Sequence, residues 1–319
     1  MKYNRQLWKY AQLGKLIQAF SEPYSGQIFH YTSADGIVGI IDNHEIWMTN
    51  TAFMNDTTEL RMLGNCSDML KDNDFTNDFV KHEWHTIFEQ LNFNKDMPNY
   101  YYMASFSKEK DLLEQWRAYG NFCIGFEAKK LRAGRRVSSF SCLYTENDIR
   151  RWILSKEKIN KWKDLMDDEE KRIAAYDLLY VASMKYKNSH FKNEKEVRLV
   201  AISHHNWIYD NSPEMYEGDL PIHFRRHPMH GFPIPYVKFF IGQDNWNNAE
   251  RVKEKEQEMK KRKLKEEGSK ERKLLPITEV IIGPIAHQEE AKSACEILLA
   301  EKGYKGIRVS ISKIPYRGV

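Results

Sequence analysis

Five polar residues in this chain have the types and spacing to act on a sugar: His30, Ser105, Ser107, Glu194 and Glu196. They fall in three short words, His30-Tyr31-Thr32, Ser105-Phe106-Ser107 and Glu194-Lys195-Glu196. Each word sits in a stretch that reads as a β-strand. A two-residue period puts His30 with Thr32 on one face, Ser105 with Ser107 on one face, and Glu194, Glu196 and Arg198 on one face. If those faces meet, they line a polar cleft with an imidazole, two hydroxyls and two carboxylates. Such a cleft can hold a sugar and stabilise a developing positive charge.

Each word also has a plainer reading. Carboxylates two apart on a strand lie about 7 Å from each other and can raise one another's pKa. One would then lie under a reacting carbon while the other orients the attacking group. Alternatively, Glu196 pairs with Arg198 at an exposed strand end. Ser107 can be a helix N-cap and nothing more. His30, at the end of an apolar strand, can be a hydrogen-bonded structural histidine, and Tyr31 on the opposite face reads as core. Asn55-Asp56 reads as a turn and cap, or as part of the cleft. Trp116 and Tyr119, three apart, read as the inner stripe of a helix.

Other polar groups are less specific. His204, His205, His223, His227 and His230 have no nearby cysteine and no zinc-type spacing, so no metal is expected. Arg225-Arg226 can grip a phosphate through forked guanidinium groups, or stand solvated. Between Glu250 and Lys273 there are eleven Lys or Arg against seven Glu, an excess equal to the +4 of the whole chain. That run reads as a charged helix, about 247–267. Its centre, Lys260, Lys261, Arg262, Lys263 and Lys265, can hold a phosphate backbone in a salt-dependent way.

These words need strands and helices to position them. Strands are expected at 27–32, 45–49, 100–106, 122–127, 140–145, 195–202, 221–225, 235–241, 278–282 and 306–312. Ser33 should cap a helix carrying Ile37, Val38, Ile40 and Ile41. Helical insertions are expected at about 57–92 and 147–186, a helix at 287–302, and a helical extension at 1–26. Strands and helices alternate irregularly, which implies α+β with a mixed sheet.

At 319 residues, 41% apolar and 29% charged, the chain can bury a proper core. The first 25 residues carry Lys2, Arg5, Lys9 and Lys15 with no apolar run, so no secretory signal is expected. No stretch approaches a membrane span. The four cysteines are widely spaced and lack a C-x-x-C pair, which suits reduced thiols and a cytoplasmic location.

In combination the words resemble a bacterial family known as domain of unknown function 2971. The resemblance is carried by Phe29 to Thr32, Trp47 to Asn50, Asn55-Asp56, Ala104 to Ser107, Trp116 to Tyr119, Gly125-Phe126, Glu194 to Leu199, Val280 to Pro284 and Pro315-Tyr316. It runs from about residue 27 to the end. More distantly, the order of the triplets resembles ADP-ribosyltransferases of the His-Tyr-Glu, DNA-targeting type. Those enzymes carry a His or Arg on a first core strand, a Ser-Thr-Ser-like word on a second, and Glu-x-Glu on a later one. Phe106 departs from the usual threonine.

The second resemblance implies a single domain over 27–319 with a mixed, mainly antiparallel split sheet. It implies an enzyme that transfers ADP-ribose from NAD, with DNA or RNA as acceptor, in a toxin or phage-defence setting. A protein or antitoxin partner would also suit it. His30, Tyr31, Thr32, Asn55, Asp56, Ser105, Ser107 and Arg198 would hold NAD between the strands of His30 and Ser105. Glu196 would stabilise the oxocarbenium-like state, Glu194 would orient or deprotonate the acceptor, and His30 would hold a ribose hydroxyl or the adenosine side. Two other readings compete: a nucleic-acid or partner-binding module with a non-catalytic cleft, and a metal-dependent phosphodiesterase. The scarcity of Asp and His ligands near the acids argues against the latter.

Overall fold

The computed structural model describes residues 22–54, 101–131, 137–153, 155, 184–202, 220–227, 231–241 and 273–315. Most of the expected N-terminal extension, the insertion at 57–92, most of the second insertion and the charged helix lie outside the described residues. So do Asn55, Asp56, Lys260, Lys261, Arg262, Lys263 and Lys265.

Strand β1 (Gln27–Thr32) leads through Ser33 into helix α1 (Ala34–Asn43). The Ser33 hydroxyl accepts from the Gly36 N–H at 3.2 Å, so the expected cap forms. Residues Ile37, Ile40 and Ile41 face inward at helical spacing. His44 ends the helix in the left-handed region, at φ 52°. Strand β2 (Ile46–Asn50) closes on a short 3-10 turn at Thr51–Phe53, capped by the Asn50 side chain.

The second described block contains β3 (Tyr101–Ser107), α2 (Leu113–Tyr119), β4 (Phe122–Glu127) and a one-turn helix α3 (Ala128–Leu131). After it come β5 (Val137–Ser141), α4 (Glu146–Ile153) and a 3-10 turn at Ser189–Glu194. Then follow β6 (Glu196–Ile202), β7 (Ile222–Arg226) and β8 (Pro233–Phe239). The last unit is β9 (Ile277–Ile282), α5 (Gln288–Glu301) and β10 (Arg308–Ile311).

The fold is α+β. Ten strands form one open sheet whose main path runs β10-β9-β4-β1-β3-β2-β8-β7, with β6 on β3 and β5 on β6. Only β9 and β10 pair in parallel among the described strands, joined by α5 as a β-α-β crossover. The sheet is therefore mixed and mostly antiparallel.

One face of the sheet makes the main core. Ile28, Ala104, Phe106, Ile124, Phe126, Val197, Leu199 and Val280 alternate inward and meet α1 and α5. The other face carries a smaller cluster of Phe29, Tyr31, Trp116, Cys123 and Ile281 under α2. Two glycines permit that cover. Gly120 has φ 121°, and a Cβ there would lie 2.6 Å from the Thr32 carbonyl oxygen. A Cβ on Gly283 would lie 2.8 Å from the Trp116 ring. Trp116 thus packs edge-on to Tyr31, with ring centres 4.7 Å apart.

Candidate functional site

Strand β3 brings the three words together. One of its edges pairs with β6 along its full length, from Tyr101↔Ile202 to Ser107↔Glu196. Its other edge is shared. Strand β2 takes Tyr102 and Met103, through Asn50↔Tyr102 and Thr49↔Met103. Strand β1 takes Ser107, through Phe29↔Ser107. Ala104, Ser105 and Phe106 pair with neither. Extending the β2 register would put Trp47 opposite Ser105, and extending the β1 register would put Tyr31 there. The two strands diverge and leave a slot in the ladder.

The slot has one side-chain substitute for the missing strand bonds. The His30 ring donates from Nδ1 to the Ser105 carbonyl at 3.0 Å. A carbonyl only accepts, so the proton is on Nδ1. Burial lowers the His30 pKa, the Ser105 hydrogen bond opposing it, so the ring is neutral and Nε2 is a bare acceptor. Among the described residues Nε2 has no hydrogen-bond partner.

The register overturns one expectation. Directly paired residues share a face. Phe29, Ser107 and Glu196 therefore share one, and Ser105 and Arg198 lie on it too. His30 and Thr32 point to the opposite face. His30 packs against Phe106, with ring centres 5.3 Å apart, at the margin of the main core. The imidazole and the acids do not line a common hollow from one side. Tyr31, not His30, is on the serine face. It is buried and structural, its hydroxyl donating to the Glu109 carbonyl at 2.9 Å and accepting from the Leu112 N–H at 3.1 Å.

Glu196 is not at an exposed strand end. It is 3% exposed, and its carboxylate meets Lys187 Nζ at 2.8 Å and the Arg198 guanidinium at 3.1 Å. Cys142 Sγ donates to it at 3.5 Å, and its backbone N–H donates to the Tyr144 hydroxyl at 2.7 Å. Burial opposes ionisation, but Arg198 and Lys187 outweigh it and hold the carboxyl down at about 2. The expected rise from a neighbouring carboxylate does not occur. Arg198 is fully buried and also donates to the Met184 carbonyl.

Glu194 reaches this cluster by another route. Strand β6 starts at Glu196, and Lys195 sits at φ 46° at the end of the 3-10 turn. The two acids are therefore not on one strand face. They converge because Lys187 bridges them, 2.6 Å from Glu194. Burial works against the charge on Lys187, and the two carboxylates more than restore it, raising its pKa. Lys187 was missed in the sequence because nothing local marks it. It meets the two acids across the Ser189–Glu194 turn, while its backbone N–H donates to the Leu143 carbonyl at 2.9 Å.

Ser107 does not cap the following helix; Leu112 occupies that position with no side-chain cap. Its hydroxyl instead donates to the Glu194 carbonyl at 2.7 Å and accepts from the Glu109 N–H at 3.0 Å. It ties the end of β3 to the turn before β6. Ser105 is partly exposed at the slot.

Among the described residues no three His, Cys, Asp or Glu side chains converge on a metal position, and no helix is long and apolar enough to cross a membrane. Residues 115–199 match the family model described as "Protein of unknown function (DUF2971)". That stretch spans α2 to β6 and contains the Glu196 cluster; it is shorter than the resemblance expected from residue 27 onward. No curated protein and no solved structure matches the chain.

Proposed function

We propose that this chain is an ADP-ribosyltransferase-like enzyme that takes NAD into the slot between β1 and β3 and transfers ADP-ribose to nucleic acid. The observation that carries this reading is adjacency. The strands of His30, Ser105 and Glu196 are neighbours in the order β1-β3-β6, and the ladder is open beside Ser105. His30 reaches the slot from the face opposite Glu196, and its bare Nε2 can accept from a ribose hydroxyl there. In this reading Ser105 supplies the exposed hydroxyl of the slot, and Glu194, the less buried acid, orients the acceptor. Glu196, ionised at any neutral pH, supplies fixed negative charge to the oxocarbenium-like state as the nicotinamide bond breaks. Lys187 must release Glu196 for that charge to act at full strength. The reading also fits a toxin or phage-defence setting.

A second reading has its own support: the slot binds a ligand without chemistry. The neutralisation of Glu196 by Lys187 and Arg198 favours it, because a paired, buried acid suffices to hold β6 to its cover.

One experiment separates them. Purified protein is incubated with labelled NAD and with DNA, RNA or protein acceptors, and nicotinamide release is followed. The transferase reading expects release and transfer, with Glu196→Gln and Glu194→Gln each losing about 100-fold or more in folded protein. Absence of release by the parent chain with every acceptor rejects it. Release that is unchanged in folded Glu196→Gln rejects the role of Glu196.

A further inference from the structure

We propose that the β2-β8-β7 face bearing Trp47, Tyr236, His223 and Arg225 is a docking surface for single-stranded nucleic acid. The proposal rests on the transferase reading only in naming its acceptor class; the binding itself needs no NAD.

Three strands present this face. Thr49 pairs with Tyr236, and Tyr236 with His223, so the three lie in one row. Trp47, two residues before Thr49, is on the same face. Its ring stacks on Tyr236 with centres 4.5 Å apart and planes 28° apart. Tyr236 in turn leans on His223 at 5.5 Å. Tyr236 is thereby buried, and Trp47 is the open end of the stack, 42% exposed.

Trp47 is also held in place. Its Nε1–H donates to Glu45 Oε1 at 2.7 Å, and Glu45 is fully buried with Lys238 3.3 Å away. An exposed indole fixed by a buried carboxylate has little rotamer freedom to lose on binding a flat partner.

The charge beside it has the complementary sign. Arg225 is exposed and donates to Thr49 Oγ1 at 3.0 Å. Among the described residues it meets no carboxylate, and the one acid of this face, Glu45, is already paired with Lys238. Beyond the ends of β2 and β8 a second ring pair stands exposed, Phe53 with Phe232, centres 6.3 Å apart. Arg225, two residues after His223, shares the face of Trp47, so an open ring stands beside a guanidinium. A nucleic-acid strand offers a base beside a phosphate. Stacking on open aromatics needs unpaired bases, which makes the partner a single strand rather than a duplex.

The test is fluorescence anisotropy with labelled single-stranded DNA and RNA and a matched duplex, without NAD, over a salt series. The parent chain should bind a single strand more tightly than the duplex. Trp47→Ala should weaken binding about tenfold or more. Arg225→Gln should weaken all sequences alike and lower the salt slope by about one. Trp47→Phe should retain most of the affinity, and it carries the test if Trp47→Ala folds poorly. No binding at about 100 µM, equal binding of duplex, or parent-like affinity in both Trp47→Ala and Arg225→Gln would each overturn the proposal. Loss of binding here alongside NAD turnover on its own would sink this surface and spare the transferase reading. The reverse pattern would do the opposite.

Discussion

Two regions of this molecule use the same set of groups to different ends. Around β6, Lys187, Arg198, Glu194 and Glu196 form a compact ionic cluster, with Lys187 over the Phe191 ring at 4.9 Å. On the β2-β8-β7 wing, Lys238, Glu45 and Arg225 surround the Trp47 stack. In the first region every acid is met by a cation inside the protein. In the second the acid is met, and the Arg225 guanidinium, held on Thr49, meets no carboxylate among the described residues. Burial explains the difference. A charge taken out of water must be matched within the fold, whereas an exposed one can wait for a partner. The inner cluster therefore belongs first to stability, whereas the wing carries the proposed docking surface.

The largest effect should come from breaking the inner cluster. Lys187→Met leaves two carboxylates without their shared cation and should cost about 3–5 kcal/mol in urea unfolding. A cost under about 1 kcal/mol would remove the contrast between the regions. Acid should act next. Glu196 has a folded pKa of about 2 against an ordinary value of 4.5. Its contribution is therefore complete above pH 4.5 and is lost as pH falls from there towards 2. The full difference is about 3 kcal/mol, readable as a falling urea midpoint that Glu196→Gln abolishes.

A smaller effect is expected at Ser107. Ser107→Ala removes the partner of the part-buried Glu194 carbonyl and Glu109 N–H and should cost about 1 kcal/mol. On the wing, Glu45→Gln keeps a side-chain oxygen for Trp47 and lets Lys238 turn to water. Because it removes a buried charge together with its need for a cation, it should change stability by about 1 kcal/mol or less. A larger loss there would show that the wing, too, is built on its ion pair.

Much of the fold was legible from pattern. The Ile37-Ile40-Ile41 stripe and Ser33 marked α1, and the alternation of Val197, Leu199 and Ala201 marked β6. The Glu196–Arg198 pair followed from two-residue spacing, though not its burial. What the pattern lacked was register. Period two says that His30 and Thr32 share a face, but not which face of β3 they join. Pairing Phe29 with Ser107 decides that, and a shift of one residue would reverse it. Glu194 was misplaced because a lysine at positive φ is uncommon, and Lys195 breaks the strand between the two acids. Lys187 was invisible because its pairing depends on the Ser189–Glu194 turn, which no repeating pattern marks.

The shared strand β3 has an evolutionary corollary. Its register is read at once by β1, β2 and β6, so deleting one residue between Ala104 and Phe106 would turn side chains over against at least one neighbour. Insertions and deletions should accordingly be purged from this rib far more strongly than replacements, and lineages of this protein should diverge there by swapping residues while its length stays frozen.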